Sequence, residues 1–264
     1  MRTHTDTLVR LLGFPATLIH GDTLVLDRWL WLRSNLPWVP PGSKRLLDIG
    51  CGSGAFTLGA ARLGYRALGL SWDAGNQEAA RVRASLIKAQ LADFEVQDVR
   101  QLDQRVDLCE AFDVILCCEN IEHILDDAKL VADISRCLKP GGTLLLTTPN
   151  SGYRPISSGD RGPFVPIDDG RHVRKGYSAE QLTALCLDSG LVVVQIDYCS
   201  WFVSQKLTAF LRACSLISYT AAWCILLPLR LLPPILDPWL SHILVWPGYS
   251  ITLKATKPNA RHGH

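Results

Sequence analysis

Leu46-Leu47-Asp48-Ile49-Gly50-Cys51-Gly52-Ser53-Gly54 carries an apolar, strand-like run directly into residues 55–63, whose apolar spacing is helical. Glycines at such a junction let the backbone turn sharply and let a ligand approach the main chain, beside a helix N-terminus rich in free N–H groups. The plain alternative is a tight strand–helix turn that binds nothing. Gly50-x-Gly52-x-x-Ala55 also satisfies the dinucleotide fingerprint. Two details argue against a pyrophosphate: Gly54 adds a third glycine at alternate spacing, and Asp48 precedes the first glycine by two residues. A carboxylate there repels phosphate and suits a ligand bearing an ammonium and a sulfonium.

Outward from this turn, short apolar runs alternate with amphipathic segments. The runs occupy 45–49, 66–70, 94–96, 112–118, 143–148, 191–198 and 250–256. Asp126 and Asp127 supply a negative first turn to a helix with the stripe Leu130, Val131, Ile134 and Leu138, which Lys139-Pro140-Gly141-Gly142 stops. Ser178 with Glu180 and Gln181 opens another helix that runs to Gly190. Strands alternating with helices predict an α/β fold, a mostly parallel sheet with helices on both faces. Residues 1–43, where Leu24, Leu26, Trp29, Leu32 and Leu36 recur at helical spacing, read as an N-terminal helical cap. Residues 44–198 form the core, and 250–264 the last strand and a tail. Residues 199–249 lie between the last two strands and are too long for a hairpin loop. With no charge at all from 213 to 229, they predict an apolar helical insertion.

The chain has 264 residues, 48% hydrophobic and 20% charged, with 27 Lys and Arg against 25 Asp and Glu. That suffices for one large domain and is too apolar for disorder. The near balance of charge excludes a dedicated nucleic-acid binder, which concentrates basic residues. The opening stretch has no long apolar region before a small-residue cleavage site, so no secretory signal is expected. Nine scattered cysteines without a CxxC pair predict reduced thiols in a cytosol and no metal site.

The glycine turn, DIGCGSG (48–54), is similar to motif I of class I S-adenosylmethionine (SAM)-dependent methyltransferases. FDVILCCENIEHI (112–124) resembles their fourth-strand motif, and LKPGGTLLL (138–146) their turn into the fifth strand. His172-Val173-Arg174, followed by Tyr177-Ser178, resembles the segment before the last helix in small-molecule members such as the quinone-biosynthesis O-methyltransferases. The resemblance covers roughly residues 44–198 and the final strand. It implies a Rossmann-like seven-stranded sheet of order 3-2-1-4-5-7-6, the seventh strand antiparallel. It also implies SAM as cofactor, with S-adenosylhomocysteine as its product. By position, Gly50, Cys51, Gly52 and Gly54 would line the methionine part, and Asp48 would serve its amino group through neighbours or water. Most members place an acid on the ribose; here Ser71 stands in that position, and either Ser71 or Asp73 makes the contact. Trp72 covers the adenine face or packs as core, Asp98 and Val99 meet the adenine, and Glu119 lies near the cofactor.

Methyl transfer from a sulfonium is an in-line displacement, so aligning donor and acceptor supplies much of the rate. A hydroxyl acceptor also gains from a base. His123, after the fourth strand, is the first candidate, with an ordinary pKa near ~6.5; its competing role is structural, within the 119–123 turn. His172 is the alternative base, and Glu119 a proton acceptor if an alkene carbon is methylated. Tyr153, Arg154, Arg171, His172, Arg174 and Tyr177 follow the fifth strand and read as acceptor-binding residues, with Arg171, Arg174 and Lys175 for an anionic group. A merely solvated loop is the alternative.

Trp201 and Phe202 open the insertion, and Trp223, Trp239 and Trp246 follow. They suit an apolar pocket or a membrane interface. The insertion therefore reads as a lid over a lipophilic acceptor or as a patch resting in a bilayer, too short and too broken by Pro228 to span it. A face between copies of a homo-oligomer, or additional core, is the alternative. The expectation is a methyltransferase acting on a lipophilic small molecule (a quinol, polyketide, lipid or prenyl chain), cytoplasmic or peripheral on the inner face of a membrane. Its rivals are a polar metabolite or sugar as acceptor, a nicotinamide-dependent oxidoreductase, and a SAM-binding protein without catalysis.

Overall fold

The structure is a computed structural model in which residues 2–19 and 22–259 are described. The tail beyond residue 259 lies outside the described residues. Three helices come first: α1 (Arg2–Leu12), α2 (Phe14–Ile19) and α3 (Leu24–Asn35). The alternation follows as β1 (Arg45–Ile49), α4 (Ala55–Arg62), β2 (Arg66–Ser71), α5 (Ala74–Leu86), β3 (Ala92–Val96) and β4 (Phe112–Cys118). It continues through α6 (Asp127–Cys137), β5 (Leu138–Pro149), α7 (Ala179–Asp188) and β6 (Val192–Cys199). Three helices, α8 (Phe202–Ser215), α9 (Tyr219–Leu226) and α10 (Pro233–Leu244), precede β7 (Ser250–Thr256).

The strands form one seven-stranded sheet of order β3-β2-β1-β4-β5-β7-β6. β7 runs antiparallel to both its neighbours, and the remaining pairs are parallel. This is the expected Rossmann-like topology. β1 and β4 read as continuous apolar runs because both faces are covered. Successive side chains point to opposite faces, so Leu47 and Ile115 join one core while Leu46 and Leu116 join the other. Phe14, Leu18, Trp29 and Leu32 of the first helices pack into that second core.

Lys139-Pro140-Gly141-Gly142 does not stop α6, as the sequence reading had it. The helix ends at Cys137, and the four residues form the irregular opening of β5, where pairing with β4 shifts register between Phe112 and Val114. Gly141, at φ 77°, turns its N–H onto the Lys257 carbonyl just past β7. That bond makes the segment part of the sheet.

The insertion is helical; Leu211, Ala222 and Leu226 form a small apolar cluster between α8 and α9, while polar residues of α8 and α10 face the rest of the protein. α8 buries Ser204, Gln205 and Thr208, and α10 buries Asp237 and Ser241. Asp237 accepts the N–H groups of Val203 and Ser204, which caps α8, and Thr23 donates its hydroxyl to the Ser204 carbonyl. Among the described residues no single helix is long and apolar enough to cross a membrane.

Candidate active site

The parallel strands all end on one side, where this type of sheet binds ligands. A cleft there is lined by Gly50 and Gly52 of the glycine turn, Ser71 and Trp72 at the end of β2, Asp98 and Val99 after β3, and Glu119 and His123 after β4. Gly52 sits at φ 51° with nothing within 4 Å of where a Cβ would stand, so its open side faces the cleft. Gly50, by contrast, lies hard against the Asn120 side chain.

Asp48 stays behind the turn. Its Oδ2 accepts the Thr57 hydroxyl at 2.6 Å, and burial pushes its carboxyl up to about 6. A cationic ligand in front of the turn would favour its charged form. Burial also pushes up the Cys51 thiol, which keeps it protonated. Of the two ribose candidates, Ser71 faces the cleft, while Asp73 caps α5 by accepting the Asn76 N–H. Asp98 is gripped by Arg100, whose Nε lies 2.9 Å from Oδ1 and Nη2 2.6 Å from Oδ2. These bonds hold the carboxyl below the usual range. Trp72 is largely exposed and forms the cleft wall beside Gly170.

Glu119 has left-handed backbone, φ 49°, and three side chains fix its carboxylate. Thr147 and Ser250 donate to Oε1 at 3.0 and 3.2 Å, and the guanidinium of Arg28 donates to Oε2 at 2.8 Å. Arg28 arrives from α3 and is buried. Next to it Glu122 is buried and accepts the Thr148 hydroxyl at 3.0 Å. Burial first, then the charge of Glu119, pushes its carboxyl well above the usual range.

His123 and His172 meet edge to face, with ring centroids 4.6 Å apart. His123 Nε2 lies 3.8 Å from Glu122 Oε1, and Nδ1 is buried without a hydrogen-bond partner among the described residues. Burial, with a contribution from His123, pushes His172 down to about 4, so its imidazole is neutral at ordinary pH. Glu122, His123 and His172 bring one carboxylate oxygen and two imidazole nitrogens within 4.8 Å of one another. That spacing suits proton exchange between them, and it is also compatible with a metal ion, which the cysteine pattern gave no reason to expect.

The remaining residues expected to hold the acceptor do not converge. Arg174 pairs with Asp127 and donates to the carbonyls of Ile124 and Leu125, while the Tyr177 hydroxyl donates to Asp127. These contacts fasten the loop after β5. Arg171 is exposed and paired with Asp169, and Arg154 lies over the Trp246 ring at 4.2 Å. Lys175 sits over Tyr153, which is itself buried against Tyr249. Trp201 lines a separate groove and Phe202 packs on Trp246 beside it; that groove shares no residue with the cofactor cleft. Sequence reasoning missed Arg28, Asn76, Arg100, Asn120 and Glu122, and it grouped Asp168 with the charged loop after the fifth strand rather than with the cofactor cleft it lines. Asp168 accepts the Leu125 N–H, and its carbonyl accepts from Arg100, closing the loop over the cleft.

The fold and this cleft define a nucleotide-type α/β enzyme built around a glycine turn. The methyltransferase domain family matches residues 27–196, and the chain belongs to it. The family is that of the class I SAM-dependent methyltransferases. The nicotinamide reading falls with that assignment. Over 159 residues the chain is 30% identical to the ubiquinone biosynthesis O-methyltransferase of Bradyrhizobium diazoefficiens, covering 58% of this chain and 60% of that one. Over 170 residues it is 31% identical to the ubiquinone biosynthesis O-methyltransferase of Neisseria meningitidis serogroup C, covering 62% and 70%. The first match thus spans about 60% of the Bradyrhizobium protein's length.

Phosphoethanolamine N-methyltransferase 2 of Haemonchus contortus, solved with SAM, superimposes with TM-score 0.62 at 20% identity, over 96% of this chain and 60% of that one. The [4+2]-cyclase SpnF gives 0.59 at 22% identity, over 89% and 83%. These two likenesses show the fold alone. The cleft itself fits the cofactor: Gly52 leaves backbone open to it, and Asn120 Nδ2 is a buried donor without a partner among the described residues.

Proposed function

We propose that the chain methylates a hydroxyl of a lipophilic small molecule, with the His123–His172 pair handling the proton. The observation that carries this is the meeting of two imidazoles and the Glu122 carboxyl at the end of the cofactor cleft. The names of the Bradyrhizobium and Neisseria relatives support an aromatic hydroxyl as acceptor. The apolar insertion supports a lipophilic one.

Gly50, Gly52, Ser71, Asp98 and Asn120 are the residues that would hold SAM, which supplies an electrophilic methyl group when bound. Arg28, Thr147 and Ser250 keep the Glu119 carboxylate in one place, so the wall of the cleft is fixed before any ligand enters. His123, on that wall, takes the proton of the acceptor hydroxyl, with the Glu122 carboxyl 3.8 Å from its Nε2. Asp168 and Arg174 latch the loop after β5, so that wall of the cleft is held in place as well.

The test is methyl transfer from labelled SAM to a prenylated catechol, a short catechol and a sugar, read as counts in the organic and aqueous phases. Transfer to the prenylated catechol above the other two is expected. Transfer to the sugar alone would replace the lipophilic acceptor with a polar metabolite.

A further inference from the structure

We propose that the outward face of the insertion, centred on Ile235, Trp239 and Ile243, rests in the surface of a lipid bilayer. The inference deepens the reading of a lipophilic acceptor and rests on it for its purpose, though not for its geometry.

α10 is turned inside out. Its polar residues Asp237 and Ser241 are buried at 4% and 7% exposure, whereas Ile235, Trp239 and Ile243 are 70%, 65% and 58% exposed. A helix packed on a protein in water places its apolar stripe inward. The inverse pattern is that of a helix lying in the interface, apolar side down. This orientation is imposed by hydrogen bonds. Asp237 accepts from Val203 and Ser204, and Ser241 accepts from Phe202, so three N–H groups at the start of α8 depend on it. Rolling α10 to hide Trp239 would leave those groups and a carboxylate without partners, which costs more than the apolar burial returns. Leu216 and Ile217, at the tip between α8 and α9, add two nearly fully exposed side chains at 89% and 92%.

Three observations favour a bilayer over a second copy of the chain. The segments Ala221–Leu231 and Pro233–Leu244 are bent by 72°, so their exposed side chains share no flat face. Fluid hydrocarbon wets any shape, whereas a rigid partner must match it. The one carboxylate in 199–249, Asp237, is buried, while Lys206 is exposed and lies over the rings of Phe202 and Trp246 beside α10, so the insertion presents positive and no negative charge of its own to anionic headgroups. Trp239 is the residue type most favoured at the water–lipid boundary. α10 also borders a groove of about 730 Å³ lined by Tyr198, Trp201, His242, Val245 and Trp246, an apolar trough beside the docking face.

The experiment is flotation of the full chain with vesicles of phosphatidylcholine alone and of phosphatidylcholine with phosphatidylglycerol. The chain should float with both and more completely with the second. The triple variant Ile235→Gln, Trp239→Gln, Ile243→Gln should show a roughly hundredfold weaker partition, since three apolar side chains no longer enter hydrocarbon. Its SAM affinity and melting temperature certify the fold. A wild-type chain that stays in the dense fraction overturns the proposal, as does a triple variant that floats equally well. If the wild type instead sediments as a dimer that the triple variant dissociates, the face belongs to a second copy. Methyl transfer to a detergent-solubilised acceptor is read separately, so a chain that floats but transfers nothing counts against the acceptor and leaves the docking face standing.

Discussion

Asp27 and Asp237 share one hydroxyl. Ser204 Oγ lies 2.5 Å from Asp27 Oδ2 and 2.8 Å from Asp237 Oδ2. A hydroxyl carries one proton and cannot donate to two carboxylates, so the second contact needs a proton on a carboxyl. Asp27 is the group that takes it. Burial pushes its pKa up to about 6, and Asp237 adds to the rise, against bonds from Ser204 and Ser200 and the charge of Arg28. The shared proton joins α3 of the N-terminal cap to α8 and α10 of the insertion.

Because the folded pKa of Asp27 lies above its ordinary 3.8, the fold favours the protonated form. The contribution to stability is fully present below pH ~4 and is lost as pH rises through about 6, a range worth about 3 kcal/mol in total. Asp27→Asn keeps a neutral side chain that can still donate to Ser204. It should melt several degrees above the wild type at pH 8 and match it near pH 4. Calorimetry across this range checks it; parallel curves for the two proteins would remove Asp27 as the titrating group, since Asp48, also raised to about 6, is common to both.

Gly52→Val is expected to abolish SAM binding. The space where a Cβ would stand is open, so in the free protein the new side chain meets only the strain of φ 51°. Its bulk enters the cleft the cofactor needs. Titration calorimetry should find affinity lowered by a factor of roughly a hundred or more, in a protein whose melting temperature falls by several degrees because a β-branched residue is strained in left-handed backbone. Unchanged affinity would move the cofactor away from the glycine turn.

The turn at 48–54 and the strand runs were legible because local spacing dictates them. A buried strand must be apolar, and a ligand-cradling turn must have glycine. The seven-strand order came from the family resemblance that the motifs carry, because spacing along the chain shows that strands and helices alternate but not which strands are neighbours. Arg28 was not legible. It stands inside LVLDRWLWL, where an arginine reads as the solvent side of a helix, and its partner Glu119 lies across the fold. The insertion was legible as apolar and helical, but the direction its helices turn was not: the sparse Ser204, Thr208, Asp237 and Ser241 decide it, because a buried N–H without an acceptor costs more than an exposed leucine. Arg171 and Arg174 were read as ligand-binding from charge alone, while their carboxylate partners, Asp169 and Asp127, were already in the chain.

Arg28→Met should destabilise the protein by about 3–5 kcal/mol, because it leaves the Glu119 carboxylate, largely buried, with only two hydroxyl donors. Adding Glu119→Gln removes the orphaned charge and should recover most of the loss. Urea unfolding of the four proteins of this cycle measures the coupling. A double variant no more stable than Arg28→Met would show that Arg28 acts through packing.

The two imidazoles can be told apart by their places in the cleft. His123 lines it and His172 lies behind, edge-on to His123 at 4.6 Å. His123→Ala should therefore lower kcat by roughly a hundredfold or more while leaving SAM affinity intact, the loss expected when a general base is removed. His172→Gln should have a smaller effect and a particular pH signature. The folded pKa of His172 lies below its ordinary 6.5, at about 4, so the neutral ring is the form present throughout the working range. Replacing it with a neutral amide changes no charge there, and the acid limb of kcat should stay where it is. Steady-state rates from pH 5 to pH 9 decide the matter. An acid limb that moves with His172→Gln and is untouched by His123→Ala would make His172 the base and leave His123 a structural residue of the turn after β4.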